Sequence, residues 1–313
     1  MRFYVDGWSP EYGTSSEDAL TPTATEVDVT CEVAAHQWRP LAPPPGTEPP
    51  GCIAFVDGVR RVDARVWVET DGGGLRQGIC ASYAAGSVRC NGKADLVTAI
   101  IGRGMFCAGG GAQPIATRHV TYEPRAAGGE APEQLWLAVQ AQMADLEAKA
   151  ATAAGAGADA DVVVVDGPLR DRRQVPGVAG YVKSHDVRYL DPGHDEVVGR
   201  LGPGERTPLF CSGGGFPRWS WYLRLPHAVG HPWAGVVRLE APVTIDVAAA
   251  RHLADQLAVA LPRFASKPHE DARAPQNLHP IASLERALRH RLGDQQLLLR
   301  ALRAAAGTTA ATA

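Results

Sequence analysis

Residues 161–169 read DVVVVDGPL. Four valines in succession offer no polar face, so the run is predicted to be a strand buried on both sides of a sheet. Immediately before it, residues 131–154 read APEQLWLAVQAQMADLEAKAATAA. Pro132 stands near the start, and Leu135, Val139, Met143 and Leu146 recur at three- and four-residue steps, the spacing of one helical face. A long amphipathic helix feeding a doubly buried strand indicates an α/β layered fold, here a mixed sheet with flanking helices.

Upstream, CIAFVDGVRRVDARVWVET at 52–70 is predicted as a strand, a turn carrying two arginines and a second strand. TDGGG at 70–74 reads as a turn, and GICASYAAGSVRC at 78–90 as a third strand of an antiparallel meander. Residues 91–130 read as loops with one strand, because glycine clusters surround short apolar pieces. Downstream, VPGVAGYVKSHDVRYL, SWYLRL and WAGVVRLEAP supply further strands, and helices over 246–261 and 283–305 close the fold. The expected organisation is an extension over 1–50 ending in a proline-rich linker, a core over 51–300, and a tail over 301–313. The last seven residues, GTTAATA, are expected to be disordered.

FVDGVR at 55–60 and VVDGPLR at 164–170 share one form: an apolar run, then Asp-Gly, then arginine within a few residues. An aspartate at the end of a buried strand sits where ligands bind at a sheet edge, and the glycine lets the backbone turn away. Asp57 and Asp166 on neighbouring strands would share a hard divalent cation through carboxylate oxygens. The alternative is that both pairs are simple turns. Glu147, 19 residues before Asp166 on the preceding helix, is the third candidate acid, with Glu133 and Asp145 competing. Lys183 in GYVKS is placed to hold a phosphate or an attacking water, or is a solvated edge lysine. Arg60, Arg61 and Arg170, just past the two aspartates, are the candidate phosphate contacts. HDVRYLDPGHDE at 185–196 gathers histidines and aspartates, but without regular ligand spacing it reads as a turn.

The net charge of −3 and sequence pI near 6.4 argue against a passive nucleic-acid coat, which needs a basic field. Six cysteines without CxxC or Cys/His zinc spacing indicate reduced thiols in a cytoplasmic protein. No apolar run approaches the roughly 18 residues that span a bilayer. GxSxG, HExxH and GxGxxG are absent. GSVRCNGKA has one residue too many between its glycines for a phosphate loop and Ala94 where Ser or Thr would ligate Mg²⁺.

FVDGVRR, MADLEAKAATAA, VVVVDGPL, GYVKS and QNLHPIASLERALRHRL together resemble the NurA family of DNA end-processing nucleases, as islands over residues 51–295. The resemblance implies a ribonuclease H-like fold, a homodimer, Mn²⁺ or Mg²⁺ dependence, DNA as substrate and a HerA-like hexameric ATPase as partner. It implies Asp57, Glu147 and Asp166 as metal-binding acids and Lys183 as a supporting cation. The family's closing pattern of proline, leucine and an Ala-His pair departs here, since Leu288 follows Ala287, leaving His279 or His290 as replacements. Two rivals stay open: a non-catalytic scaffold of the same fold, and a sugar-kinase or actin-like phosphotransferase whose first strand also ends in aspartate.

Overall fold

The computed structural model describes residues 26–69, 74–109, 112–156, 160–185, 187–213, 216–228 and 230–312. Along the chain come β1 (Val27–Asp28), β2 (Ile53–Glu69), β3 (Leu75–Cys90), β4 (Ala94–Ala108), β5 (Ile115–Ala116) and β6 (Thr121–Ala127). Then follow α1 (Pro132–Ala156), β7 (Val162–Asp166), β8 (Val178–Val182), α2 (Pro192–Gly199) and β9 (Phe210–Ser212). The remainder is β10 (Arg218–Arg224), β11 (Val236–Pro242), α3 (Val247–Ala260), α4 (His279–Arg291) and α5 (Gln295–Thr312). The result is a mixed α/β fold, mostly antiparallel, with flanking helices. Helix α1, the valine strand and the later strands lie where the sequence reading put them.

The chain divides into two compact units. Unit one comprises residues 1–55, 88–95 and 151–282. Its strands run in the order β1-β9-β10-β11-β8-β7, antiparallel except for the parallel pair β7 and β8. The opening residues of β2 follow β7, started by a reciprocal link: Asp161 N–H donates to Cys52 O at 3.0 Å, and Cys52 N–H to Asp161 Oδ2 at 2.9 Å. Trp38, Val197, Val198, Phe210, Tyr222 and Val236 form one core cluster. The segment 26–50, expected as an extension, is part of this unit. It supplies β1, the buried Trp38, and Glu32, which with Asp255 clamps the buried Arg206 guanidinium at 2.9 and 2.7 Å.

Unit two comprises residues 56–87, 96–150 and 283–313, with strand order β2-β3-β4-β6-β5. Side chains alternate across β3. Ile79, Ala81 and Tyr83 pack with Leu135, Val139 and Met143 of α1, while Cys80 packs with Met105, Cys107, Tyr122 and Leu302 of α5. The sheet is therefore covered on both faces here, which is why β3 reads as nearly continuous apolar sequence.

Four expectations are corrected. Residues 52–70 hold one strand of 17 residues instead of two strands about a turn, so Asp57 sits inside β2 instead of at a strand end. Gly58 serves close packing: a Cβ there would overlap the Glu147 carboxylate and stand 2.9 Å from Met143 Cγ on α1. The span 91–130 contains the 15-residue β4 and also β5 and β6. The closing helix is two helices broken at Gly293 (φ +84°), and the last residues continue α5 to Thr312 instead of forming a loose tail. The expected turn at 70–74 falls mostly outside the described residues.

Candidate active site

Asp166 is the last residue of β7, placed there by the valine run and released by Gly167, whose φ of +94° only glycine adopts easily. Lys183, just past β8, donates from Nζ to Asp166 Oδ2 at 2.7 Å and to Asn277 Oδ1 at 3.1 Å. Asn277 is itself fixed, donating from Nδ2 to Asp271 Oδ2 at 2.6 Å. Burial alone raises the Asp271 carboxyl, but hydrogen bonds from Asn277 and Arg273 more than offset it and hold the group below its usual value. The nearby Tyr181 phenol is pushed well above its ordinary value by burial and by Asp166, so it stays a neutral donor, bonding Gln276 O at 2.7 Å. The chain Asp271–Asn277–Lys183–Asp166 is thus a held relay of hydrogen bonds in unit one.

In unit two, Asp57 lies buried on β2 and its Oδ1 accepts from Gly58 N–H at 2.7 Å. Glu147 is buried beside Gly58. Glu285, on α4, is also buried, although sequence reasoning passed over it. Within unit two, one carboxylate oxygen each from Asp57 and Glu285 lie within 4.8 Å of each other, an acidic group with oxygens a metal ion could use. Glu147 is not a member of that group among the described residues. Glu285 gave a weak signal: it is the only acid in an arginine-rich helix and pairs with Arg289 at 4.0 Å, the i,i+4 pattern of a surface ion pair.

The three candidate arginines differ. Arg60 donates to Met143 Sδ at 3.7 Å and lies 4.7 Å over the Trp136 ring. Arg61 bonds Asp63 at 2.8 Å and Gly293 O at 2.9 Å. Arg170 lines an open cavity. Of the histidines, His279 lies 3.4 Å from Glu270 and His290 is exposed on α4. His194 and Asp191 pair at 2.6 Å, with Asp191 capping α2, so the segment read as a turn opens a helix instead; Asp186 lies outside the described residues. All six cysteines are free thiols, and burial pushes Cys80 up to about 12. Among the described residues no helix is long and apolar enough to cross a membrane.

No curated protein matches the chain. The family model of the NurA domain matches residues 53–289, a span that begins with β2 and its Asp57 and takes in Glu147, Asp166, Lys183 and Glu285; the chain therefore belongs to the NurA family.

Proposed function

We propose that this chain is a divalent-metal-dependent DNA nuclease that hydrolyses phosphodiester bonds. NurA is a nuclease family, so membership makes a hydrolase with a role in DNA end processing the starting point. The observation that carries the reading is the buried acidic pair of unit two: Asp57 and Glu285 present oxygens within 4.8 Å on a chain of a nuclease family. Carboxylates that close repel one another unless positive charge joins them, and an all-oxygen donor set suits Mn²⁺ or Mg²⁺. Asp57, Asp166 and Glu285 would hold such a cation, which when bound supplies Lewis-acid stabilisation and a more acidic water. Glu147 remains in the proposed site as a neighbouring acid beside Gly58.

Lys183 does two things in this reading. Its ammonium offsets part of the carboxylate charge, and its bonds to Asp166 and Asn277 hold Asp166 in one rotamer, so the carboxylate meets the phosphate preorganised. Arg170, which lines an open cavity, is proposed to meet phosphate together with Arg60 and Arg61, which also bond within unit two. A ribonuclease H-like fold, a homodimer, a HerA-like ATPase partner and a cytoplasmic location are proposed on the family likeness. The missing Ala-His pair favours a second reading, a DNA-binding scaffold without catalysis.

End-labelled single- and double-stranded DNA incubated with the full chain and Mn²⁺, Mg²⁺ or EDTA separates the two. Metal-dependent cutting that is lost in Asp57→Asn and Asp166→Asn is expected. No cutting by the wild type, alone or with a HerA-type ATPase, would leave the scaffold.

A further inference from the structure

Residues 266–279, SKPHEDARAPQNLH, lie between α3 and α4 and fold as nested turns. Glu270 N–H donates to Lys267 O at 2.9 Å, Ala274 N–H to Asp271 O at 3.1 Å and Asn277 N–H to Arg273 O at 3.0 Å. Two bonds dock the segment at the end of β8, where Tyr181 and Lys183, two residues apart, alternate onto the same side. The Tyr181 hydroxyl donates to Gln276 O at 2.7 Å, and Lys183 Nζ donates to Asn277 Oδ1 at 3.1 Å. All of these residues belong to unit one.

Asp271 uses its two carboxylate oxygens for different purposes. Oδ1 accepts from the Arg273 N–H at 2.7 Å, closing an Asx turn, and has the Arg273 Nε 3.5 Å away. Oδ2 accepts from Asn277 Nδ2 at 2.6 Å. The turn needs only the first bond. The second fixes an amide that is fully buried. An amide has one accepting end and one donating end, and its neighbours decide which way it points. The neighbours here are of opposite kinds, since a carboxylate only accepts and an ammonium only donates. Turned over, the Asn277 amide would set its oxygen against Asp271 and its N–H groups against Lys183, and both bonds would be lost. Burial raises the Asp271 carboxyl, but the bonds from Asn277 and Arg273 hold it below its ordinary value, so it accepts as a full carboxylate at neutral pH. The amide hands the polarity of Asp271 on to Lys183, whose Nζ donates to Asp166 Oδ2 at 2.7 Å.

We infer that Asp271 is a positioning residue: acting through the Asn277 amide, it keeps the Lys183 ammonium on Asp166, the acid that ends β7. The effect on cleavage rests on the nuclease reading. The effect on Lys183 rests on hydrogen-bond polarity alone.

Two measurements on the full chain test it. One, in EDTA, is the rate at which an amine-acylating reagent labels Lys183, read by mass spectrometry against Lys93, whose side chain is 74% exposed. The other is kcat and KM for Mn²⁺-dependent cutting of end-labelled DNA. Asp271→Ser keeps a hydroxyl that closes the turn but is too short to reach the amide. It is expected to speed Lys183 labelling about tenfold and to lower kcat about tenfold with KM within about twofold, the scale of one lost hydrogen bond to a charged group. Asp271→Asn combined with Asn277→Asp exchanges the two groups. An amide at 271 then donates to a carboxylate at 277, whose second oxygen accepts from Lys183, so every donor again meets an acceptor. The exchange should bring labelling back to within about threefold of wild type, as coupled neighbours do. Wild-type labelling in Asp271→Ser, an exchange that labels as fast as Asp271→Ser, or an activity loss carried by KM overturns the assignment, and either variant decides alone if the other does not fold. Labelling that follows the amide in a chain that cuts no DNA would sink the nuclease reading and leave the positioning of Lys183 standing.

Discussion

The carboxylate of Glu147 occupies the place where a side chain on Gly58 would begin. Helix α1 rides so low over β2 at this point that only a hydrogen fits between them. Gly58→Ala should therefore displace Glu147 and Met143 and destabilise the protein by about 1–3 kcal/mol, the usual cost of overpacking. Urea unfolding read by circular dichroism checks it. A midpoint equal to wild type would mean that α1 yields freely and that the contact does not position Glu147.

Replacing Lys183 with Met removes the ammonium from Asp166 and Asn277 while keeping the apolar stem. Stability should fall by about 2 kcal/mol, since hydrogen bonds to charged groups are worth about 1.5–3 kcal/mol. Cleavage of end-labelled DNA should fall far more than stability, by about a hundredfold, because Asp166 loses its fixed rotamer. Equal activity in the variant would reduce Lys183 to a structural tether.

Mn²⁺ should raise the melting temperature of the full chain, because a ligand that binds only the folded state stabilises it by about 2.7 kcal/mol at a hundred times its Kd. Asp57→Asn and Asp166→Asn should abolish the shift. Glu285→Gln should remove most of it, and Glu147→Gln should remove less, because Glu285 and not Glu147 joins the close carboxylate group. The reverse ranking would restore Glu147 as the direct ligand.

Glu240 gives a pH dependence with a definite sign. Burial raises its carboxyl, and Arg238 and Arg218 more than offset that, so its folded value lies below the ordinary 4.5. The stability it contributes is complete above about pH 4.5 and is lost as the pH falls through the lower folded value. Glu240→Gln should cost about 3–5 kcal/mol at pH 7, by leaving buried guanidinium groups without their carboxylate. The gap between wild type and variant should narrow only below pH 4.5. A gap constant from pH 7 to pH 3 would show that Glu240 is not ionised in the folded protein.

Sequence periodicity located α1 and β7 because each carries one unmixed signal: apolar residues on a single helical face, and valines with no polar face at all. It failed on β2 and β4 for a shared reason. Asp-Gly and glycine pairs look like turns in the text, yet in β4 a Cβ at Gly102 would overlap the Tyr83 ring, so that glycine makes room for an aromatic on the next strand. Close packing and turning leave the same mark in a sequence. Asp57 and Asp166 were legible because each follows a long apolar run. Glu285 was not, since an acid four residues before an arginine on a helix describes an ordinary solvated pair, and only the fold brings it to Asp57.

The recognised span, 53–289, is shorter than what the molecule uses to hold itself together. Glu32, ahead of it, is a counter-charge of the buried Arg206, and Leu302, behind it, closes the face carrying Cys80, Met105 and Tyr122. A version trimmed to the span would take one of two carboxylates from the buried Arg206 guanidinium, leaving it Asp255, and would bare a patch of sheet. What is inherited as a recognisable domain and what folds as a body do not share boundaries here, and expression work that takes one for the other will select for aggregates.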